Sequence, residues 1–265
     1  MMKSTAIGVL LILFSAAQVG AQTPSPSPTV LAQITDRGRS LEAYDQAAWH
    51  GSDAAVALAG HDTAGLDLFI ARKVGGAWLV DFGKLDAPGT AFLTKIEARS
   101  DDGRHFTAQR FSSGRPDVGF LVAAAHAVKT SEAAFQAVAN RRYNVAVLPN
   151  DDGSLYVYLY PAQTVKGIFP LGGDERFRVS ADGMTIVDAH RMHRSIIDAA
   201  VPPPTQDKRL VAGFHTDIFS DVPEDTDVFH VLARTPLIPE YVVARGNRYL
   251  IQTDGSIEPN GSVVH

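Results

Sequence analysis

The chain has no cysteine among its 265 residues, and it begins with a segment typical of an export signal. Lys3 precedes the apolar run 6–17, and Val19 and Ala21 are the small residues that a signal peptidase requires. A membrane-spanning helix needs about 20 apolar residues, so the run favours a signal peptide, residues 1–21, over a retained anchor. Without disulfides, the exported domain must be stabilised by its hydrophobic core alone.

The composition is that of a folded protein that does not bind nucleic acid. Hydrophobic residues make up 45% of the chain, which is enough to build the core of one or two domains. The net charge is −5, and no cluster of basic residues is present that would favour nucleic acid or an anionic membrane surface. Once the signal is cleaved near Ala21, no integral membrane segment remains. We therefore expect a periplasmic or secreted protein whose partner, a small molecule or a protein, the sequence does not identify.

Hydrophobic patterning divides the chain into four segments. The signal peptide, 1–21, precedes a Pro/Ser-rich tether, 22–30, in which "TPSPSPT" predicts an extended backbone. Residues 31–115 predict one helix, 36–59, which ends at Gly60, and an antiparallel meander. The meander consists of two hairpins, 66–73 with 77–83 and 91–99 with 105–111.

The last segment, 116–265, predicts an α+β domain. It begins with the strongest helical pattern of the chain, 117–142, which has no internal Gly or Pro after its first turn. The strands predicted after it are 143–148, 154–160, 176–180, 185–193 and 209–215, followed by a helix, 223–234, and a hairpin around "RGN". The predicted fold class is α+β, a mostly antiparallel sheet with two long helices and a C-terminal strand–loop–helix–strand unit.

A dense group of histidines and acids lies in "GFHTDIFSDVPEDTDVFH", residues 213–230. If the strand continues, His215 and Asp217 leave the same face, because side chains alternate along a strand. Asp227 lies early in the next helix, with His230 three residues later on the same side. One imidazole and two carboxylates are donors that suit zinc, iron or manganese. This pattern predicts a metal site with His215, Asp217 and Asp227 as ligands.

A second interpretation of the same stretch is a capped, solvated loop, and the sequence alone favours it. Acids in the first turn of a helix accept hydrogen bonds from unpaired backbone N–H groups and interact favourably with the positive end of the helix dipole. The two interpretations stay open. Further candidate site residues are His193, which could approach His215 from a neighbouring strand, together with Asp174, Glu175 and His230.

The order of a long helix, several strands and then strand–"HTD"–loop–helix–strand resembles the JAMM/MPN metalloprotease fold. The signature of that family is His-x-His followed by Asp, with an upstream Glu as general base. His215 matches the first histidine and Asp227 approximates the acid, one residue short of the usual spacing, whereas Asp217 stands in place of the second histidine. The strand 143–148, where the Glu is expected, has no acid. The resemblance implies a non-catalytic binding or structural module on this scaffold. The alternative that it implies is a metal-dependent hydrolase, of the peptidase or amidase type, which uses His215, Asp217 and Asp227, with zinc as the metal of that family.

Several phrases also resemble a family of exported bacterial proteins of uncharacterised function. They include "YNVAVLP", "PLGGDERFRVSADG" and "SDVPEDTDVFHVLAR". This resemblance implies export and folding as a single unit, and it implies no activity.

Overall fold

The computed structural model describes residues 27–60, 62–200 and 210–262, in which the chain forms three helices and fourteen strands. The helices are α1 (Pro28–Ala59), α2 (Phe120–Ala134) and α3 (Asp225–Ala233). The strands are β1 (Leu68–Val74), β2 (Ala77–Leu85), β3 (Phe92–Ser100), β4 (Thr107–Asp117), β5 (Tyr143–Pro149), β6 (Leu155–Pro161), β7 (Ile168–Gly172), β8 (Glu175–Val179), β9 (Ile186–Arg191), β10 (Ile196–Ala200), β11 (Gly213–Asp217), β12 (Glu240–Ala244), β13 (Asn247–Ile251) and β14 (Ile257–Ser262). The predicted α+β class is confirmed. In these three ranges, no helix combines the length and the hydrophobicity that crossing a bilayer demands.

The strands form four sheets, and nearly all neighbours are antiparallel. Two four-stranded sheets have the orders β1-β2-β3-β4 and β5-β6-β8-β9, and β7 pairs with β10. The fourth sheet has the order β11-β12-β13-β14, in which β11 and β12 run parallel. Parallel neighbours require a crossover connection, and α3 lies between β11 and β12 in the chain. The stretch 213–230, which holds the predicted ligands, is therefore part of a strand–helix–strand crossover.

Helix α1 begins earlier than the sequence pattern predicts. The tether was predicted over 22–30, but residues 28–30 are helical because Ser27 caps the helix and accepts a hydrogen bond from the Thr29 amide at 3.2 Å. Pro28 fits the first turn, where its missing N–H costs no hydrogen bond. Leu31 and Ile34 are buried and extend the apolar face of α1 in this direction. The predicted signal peptide, 1–21, lies outside the described residues.

Helix α2 is shorter than the predicted helix 117–142. It ends at Ala134, and Phe135 adopts an extended backbone with its ring 4.9 Å from that of Tyr143. The Gln136 carbonyl then accepts a hydrogen bond from Arg191 at 2.9 Å instead of continuing the helix. These contacts between distant segments outweigh a helical pattern that has no internal stop signal.

The boundaries of the C-terminal unit are set by strand pairing. The predicted strand 209–215 is displaced, because β11 begins at Gly213 and extends to Asp217. Its five residues pair one for one with the five residues of β12, so the partner fixes its length. Residue 209 and the predicted loop 201–208 lie outside the described residues. The helix predicted over 223–234 is present as the slightly shorter α3.

Helix α3 packs closely against α1. A Cβ atom added at Gly38 of α1 would lie 2.5 Å from the Cβ of Val228 and 2.7 Å from the carbonyl oxygen of Asp225. Such distances are too short for any residue except glycine, so Gly38 allows the two helices to approach. Thr35 donates a hydrogen bond to the Gly255 carbonyl at 3.1 Å and ties α1 to the fourth sheet. These contacts fix the position at which α3 begins.

The core is shared between the predicted segments 31–115 and 116–265. One contiguous cluster of buried residues includes Leu41, Val80 and Ile96 from the first segment and Ala146 and Tyr158 from the second. Helix α1 therefore covers side chains from both sides of position 115.

Candidate metal centre

Three buried side chains from separate segments meet at one point. His193 lies in the loop between β9 and β10, His215 lies in β11, and Asp227 lies in the first turn of α3. The Nε2 atoms of His193 and His215 lie 3.0 and 2.9 Å from the same Asp227 oxygen, Oδ1. All three side chains are buried. We call these residues the His–His–Asp cluster.

Strand β11 directs His215 inward by alternation. His215 and Asp217 are buried, whereas Phe214 and Thr216 between and beside them are exposed. This confirms that the two polar side chains leave the same face of the strand. His193 reaches the cluster for a different reason: the predicted strand 185–193 ends at Arg191, and the loop that follows turns His193 towards β11.

The two oxygens of Asp227 have different roles. Oδ2 accepts a hydrogen bond from the Glu224 amide at 2.8 Å, and the Glu224 side chain accepts one from the Asp227 amide, which completes a capping box. Oδ1 faces the two histidines. The predicted capping interaction is therefore present, and it coexists with the cluster.

A second layer of carboxylates holds the outer nitrogen of each histidine. His193 Nδ1 lies 2.8 Å from Asp174 Oδ1, and His215 Nδ1 lies 2.9 Å from Glu240 Oε1. The other oxygen of Glu240 accepts a hydrogen bond from Arg234 at 2.7 Å. Each imidazole therefore lies between two carboxylates, and its ring orientation is fixed from both sides.

The cluster is strongly polarised when no metal is bound. Burial alone would lower the pKa of His215, but the charge of Asp227 and the hydrogen bonds that the ring donates to Asp227 and Glu240 raise it to about 9. Burial opposes the same shift in His193, whose pKa the charges of Asp174 and Asp227 nevertheless raise well above its usual value. Burial would raise the pKa of Asp227, but the two charged imidazoles hold it far below its ordinary range. Both shifts favour the charged form of the two histidines in the metal-free protein.

The inner atoms of the cluster fit a transition-metal ion. They offer two imidazole nitrogens and one carboxylate oxygen, all within 4.8 Å of one another. Ligand atoms about 2.1 Å from a tetrahedral ion lie roughly 3.4 Å apart, so binding would draw the outermost donor atoms together by about an ångström or more. The ion would replace the protons on the Nε2 atoms, because histidine ligands must be neutral. Three protein ligands and one open position are typical of catalytic zinc sites.

The structure brings together His215 and Asp227 from the predicted ligand set and adds His193 in place of Asp217. Asp217 offers no atom to the donor group, and its Oδ1 accepts the Phe219 amide at 2.8 Å. It lines a cavity of about 130 Å³ that also exposes His193 and His215.

The other predicted residues occupy three different environments. Asp174 supports His193, as described above, whereas Glu175 pairs with Arg191 at 3.2 Å and contributes no donor. His230 is buried near the cluster without joining its donor atoms. Burial, and next to it the charge of Arg234, lower the pKa of His230 to about 3, so its ring is neutral.

Glu240 is the site residue that sequence reasoning missed. It is the first residue of β12, and the parallel register places it opposite Gly213 of β11. A Cβ atom at Gly213 would overlap the Glu240 carboxylate. The glycine two residues before His215 is the one sequence signal of this contact, because it leaves room for a side chain from the next strand.

A separate buried ion cluster holds the first turn of α3 in place. Asp225 accepts hydrogen bonds from Arg37 at 2.9 Å and Tyr158 at 2.9 Å, and it forms an ion pair with Arg176. The Asp225 side chain is 1% exposed, and its partners come from α1, β6 and β8. These contacts hold the backbone of the first turn of α3, and Asp227 lies in that turn, two residues after Asp225.

Comparisons with known proteins do not identify a family. No protein-family model matches the chain, and no curated protein matches it. One solved structure with partial similarity is the crystal structure of a GH43_1 enzyme from Xanthomonas citri, which is 15% identical and has a TM-score of 0.16. The match covers 74% of this chain and 54% of that one, so this chain spans about half the length of that protein. Similarity at this level supports no inference about fold or activity.

Proposed function

We propose that this protein binds one zinc-type divalent ion through His193, His215 and Asp227 and uses it to hydrolyse an amide or ester bond. The observation that carries the proposal is the second layer of the site, in which Asp174 and Glu240 hold the outer nitrogens of the two histidines. Histidines that bind metal ions almost always donate their other ring N–H to a carboxylate, a carbonyl or a water. Here both histidines have a carboxylate in that place.

The chemistry follows from the donor set. An ion with three protein ligands can hold a water at its open position and lower the pKa of that water to about 7. In hydrolysis of an amide, the water oxygen would bond to the carbonyl carbon, the C–N bond would break, and a water proton would pass to the departing amine. The cavity of about 130 Å³ beside His193 and His215 is the place where a scissile group would lie.

The JAMM/MPN relationship is part of this proposal. Its support is the position of His215 on a strand and Asp227 on the following helix, together with the return of the chain to a neighbouring strand. As part of the same proposal, the two long helices and the C-terminal strand–loop–helix–strand unit are the elements that this chain shares with the JAMM/MPN fold. His193 would take the ligand role that the second histidine of the motif has in that family.

Metal analysis and zinc titration test the proposal. The purified protein is first dialysed against a chelator to remove bound metal. When zinc is then added, we expect it to bind one ion and to melt at a higher temperature. An ion at about 1,000 times its dissociation constant stabilises the folded state by about 4 kcal/mol. The effect should vanish in Asp227→Asn and in His193→Ala. The control is His105→Ala, because His105 also contacts an aspartate, Asp102, at 2.6 Å but is exposed.

A second candidate is a non-catalytic binding or structural module. The observation that favours it is that Asp227 Oδ1 already lies within hydrogen-bonding distance of both histidines, so the cluster is satisfied as an ion network without metal. In that case zinc would leave the melting temperature of the wild type unchanged. Asp227→Asn would then destabilise the protein by about 3 kcal/mol or more, because two buried charged imidazoles would lose their shared partner.

We further propose that the protein is exported and loses residues 1–21, as the charged start, the apolar run and Ala21 indicate. Intact-mass measurement of protein from a periplasmic or secreted fraction tests this. A full-length mass recovered from the membrane fraction would contradict it.

A further inference from the structure

Asp217 has a buried carboxylate oxygen that makes no hydrogen bond in the described part of the chain. Its side chain accepts the Phe219 amide through Oδ1 at 2.8 Å, whereas Oδ2 has no partner. The residue is only 2% exposed. Burying a polar oxygen without a partner costs about 1–3 kcal/mol, and more when the group is charged. An unpartnered atom of this kind in a folded protein points to a ligand or an ordered water.

The position of Asp217 points to the same ion that the His–His–Asp cluster would hold. Asp217 lies two residues after His215 on the inward face of β11, and both side chains line the cavity of about 130 Å³. His193 lines this cavity as well. A water molecule occupies about 30 Å³ in the liquid, so the cavity has room for a few waters or for one small group of a substrate.

Asp217 is nevertheless not one of the donors. The atoms that lie within 4.8 Å of one another belong to His193, His215 and Asp227 alone among the described residues. The carboxylate therefore lies next to the donor group, in the wall of the cavity where the fourth coordination position would be.

We propose that Asp217 is a positioning residue that accepts a hydrogen bond, through Oδ2, from the water at this fourth position. The proposal rests on the proposed metal site and names the residue that orients the water towards a scissile carbonyl group. It assigns to Asp217 a role different from that of a ligand, and it gives the buried oxygen its missing partner.

This role has a consequence that can be measured without a substrate. A negative charge beside the exchangeable position repels an anion that would replace the water there. Removing the charge should therefore tighten anion binding. Two charges about 5 Å apart at an effective dielectric constant of 20–80 interact strongly enough to change a dissociation constant at least about threefold.

The experiment uses the full mature protein loaded with Co²⁺, whose visible absorption reports the ligands around the ion, and titrates it with azide. We expect Asp217→Asn to bind Co²⁺ with a dissociation constant within about tenfold of wild type and azide at least about threefold more tightly. Asp217→Ser is the second variant, because its hydroxyl can still accept the Phe219 amide. The matched control is Asp221→Asn, an exposed carboxylate in the same loop, which should leave both constants unchanged.

Each other outcome overturns the inference in a recognisable way. If Co²⁺ binding in both Asp217 variants weakens more than about tenfold, Asp217 holds the ion in place, as a ligand or by supporting one, and does not act only through the water. If Co²⁺ affinity is kept and azide affinity is unchanged or weaker, the carboxylate does not face the fourth position. If the wild type itself binds no Co²⁺, the proposed metal site fails, and that result is distinct from both.

Discussion

Asp227 accepts the backbone N–H of Glu224 through Oδ2 at 2.8 Å, which leaves Oδ1 free to face two histidines. One carboxylate thus caps α3 and forms the centre of the candidate site. The start of the helix and the position of the donor atom cannot change independently. Features that fix the first turn of α3 therefore also fix the geometry of the site.

Removing one outer carboxylate should weaken zinc binding without abolishing it. Asp174→Asn leaves His193 in place. It removes the negative charge that orients the ring of His193 and makes that ring a more basic ligand. Losses of this type typically cost 10–100-fold in metal affinity, so we expect a decrease of about that size with one ion still bound. Titration against a chromophoric chelator measures it. The control is Glu175→Gln, the adjacent acid that pairs with Arg191 instead. Equal zinc affinities for the two variants would contradict the orienting role of Asp174.

The stability of the metal-free protein should fall between pH 6.5 and pH 9. Although burial opposes the shift, the charge of Asp227 raises the pKa of His215 from 6.5 to about 9 in the folded state. Because the pKa is higher in the folded state, protonation of His215 stabilises the fold. This stabilisation is complete when the pH is below 6.5, the pKa in the unfolded state, and it is lost as the pH rises through about 9. At acidic pH the dependence comes from Asp227, whose pKa is lowered in the folded state. Its charge stabilises the fold fully when the pH is above the ordinary pKa of 3.8, and this stabilisation is lost as the pH falls further.

Zinc should reverse the alkaline part of this dependence. Its ligands must lose their protons, so the stabilisation that zinc supplies grows as the pH rises. Melting temperatures measured from pH 6 to pH 9, with a chelator and with zinc, should diverge. A metal-free melting temperature that stays constant over this range would show that the two histidines are not charged in the folded protein.

Asp225→Asn should destabilise the protein strongly. The substitution leaves the guanidinium groups of Arg37 and Arg176 without their shared counter-ion in a largely buried place. Breaking a buried ion pair on one side costs about 3–5 kcal/mol, and we expect a value near the lower end because both arginines are partly exposed. Urea unfolding measures the change. Asp221→Asn, an exposed acid nearby, should change the free energy of unfolding by no more than about 0.5 kcal/mol. A similarly small effect at Asp225 would mean that this cluster does not hold α3 in place.

Gly38→Ala should destabilise the protein even though alanine is the better helix former. The intrinsic preference favours alanine by about 1 kcal/mol, but the new methyl group would press on Val228 and on the Asp225 carbonyl. Overpacking costs typically about 1–3 kcal/mol, so we expect a net loss. Ser40→Ala, on an exposed part of the same helix, is the control. A more stable Gly38→Ala protein would show that α1 and α3 can separate without cost.

Local patterns predicted most elements of this fold better than their ends, although β7, β10 and β14 were not predicted. The hairpin of β1 and β2 follows from alternating residues around Gly75 and Gly76, both of which adopt positive φ angles. By contrast, α2 stops just before Gln136, whose carbonyl accepts a hydrogen bond from Arg191, and β11 takes its length from β12. Both boundaries depend on residues distant in sequence, which periodicity does not contain.

The candidate site shows the same division. His215 and Asp227 are close in sequence, and the strand and helix periods relate them directly. His193 was considered on a predicted strand that in fact ends at Arg191, so its direction did not follow from alternation. Glu240 reaches His215 only because β12 lies parallel to β11, and spacing along the chain does not specify that pairing.

The attachment of α1 to the fourth sheet also affects the order in which this protein can be completed during synthesis. Thr35 and Arg39 donate to the carbonyls of Gly255 and Asp254, partners that lie 220 and 215 residues further along the chain. Since the ribosome makes the N-terminal end first, the start of the apolar face of α1, Leu31 and Ile34, emerges long before the residues between 228 and 251 that cover it. Contacts between such distant residues form slowly. The first turns of α1 therefore remain without their native partners until the C-terminal sheet has been made.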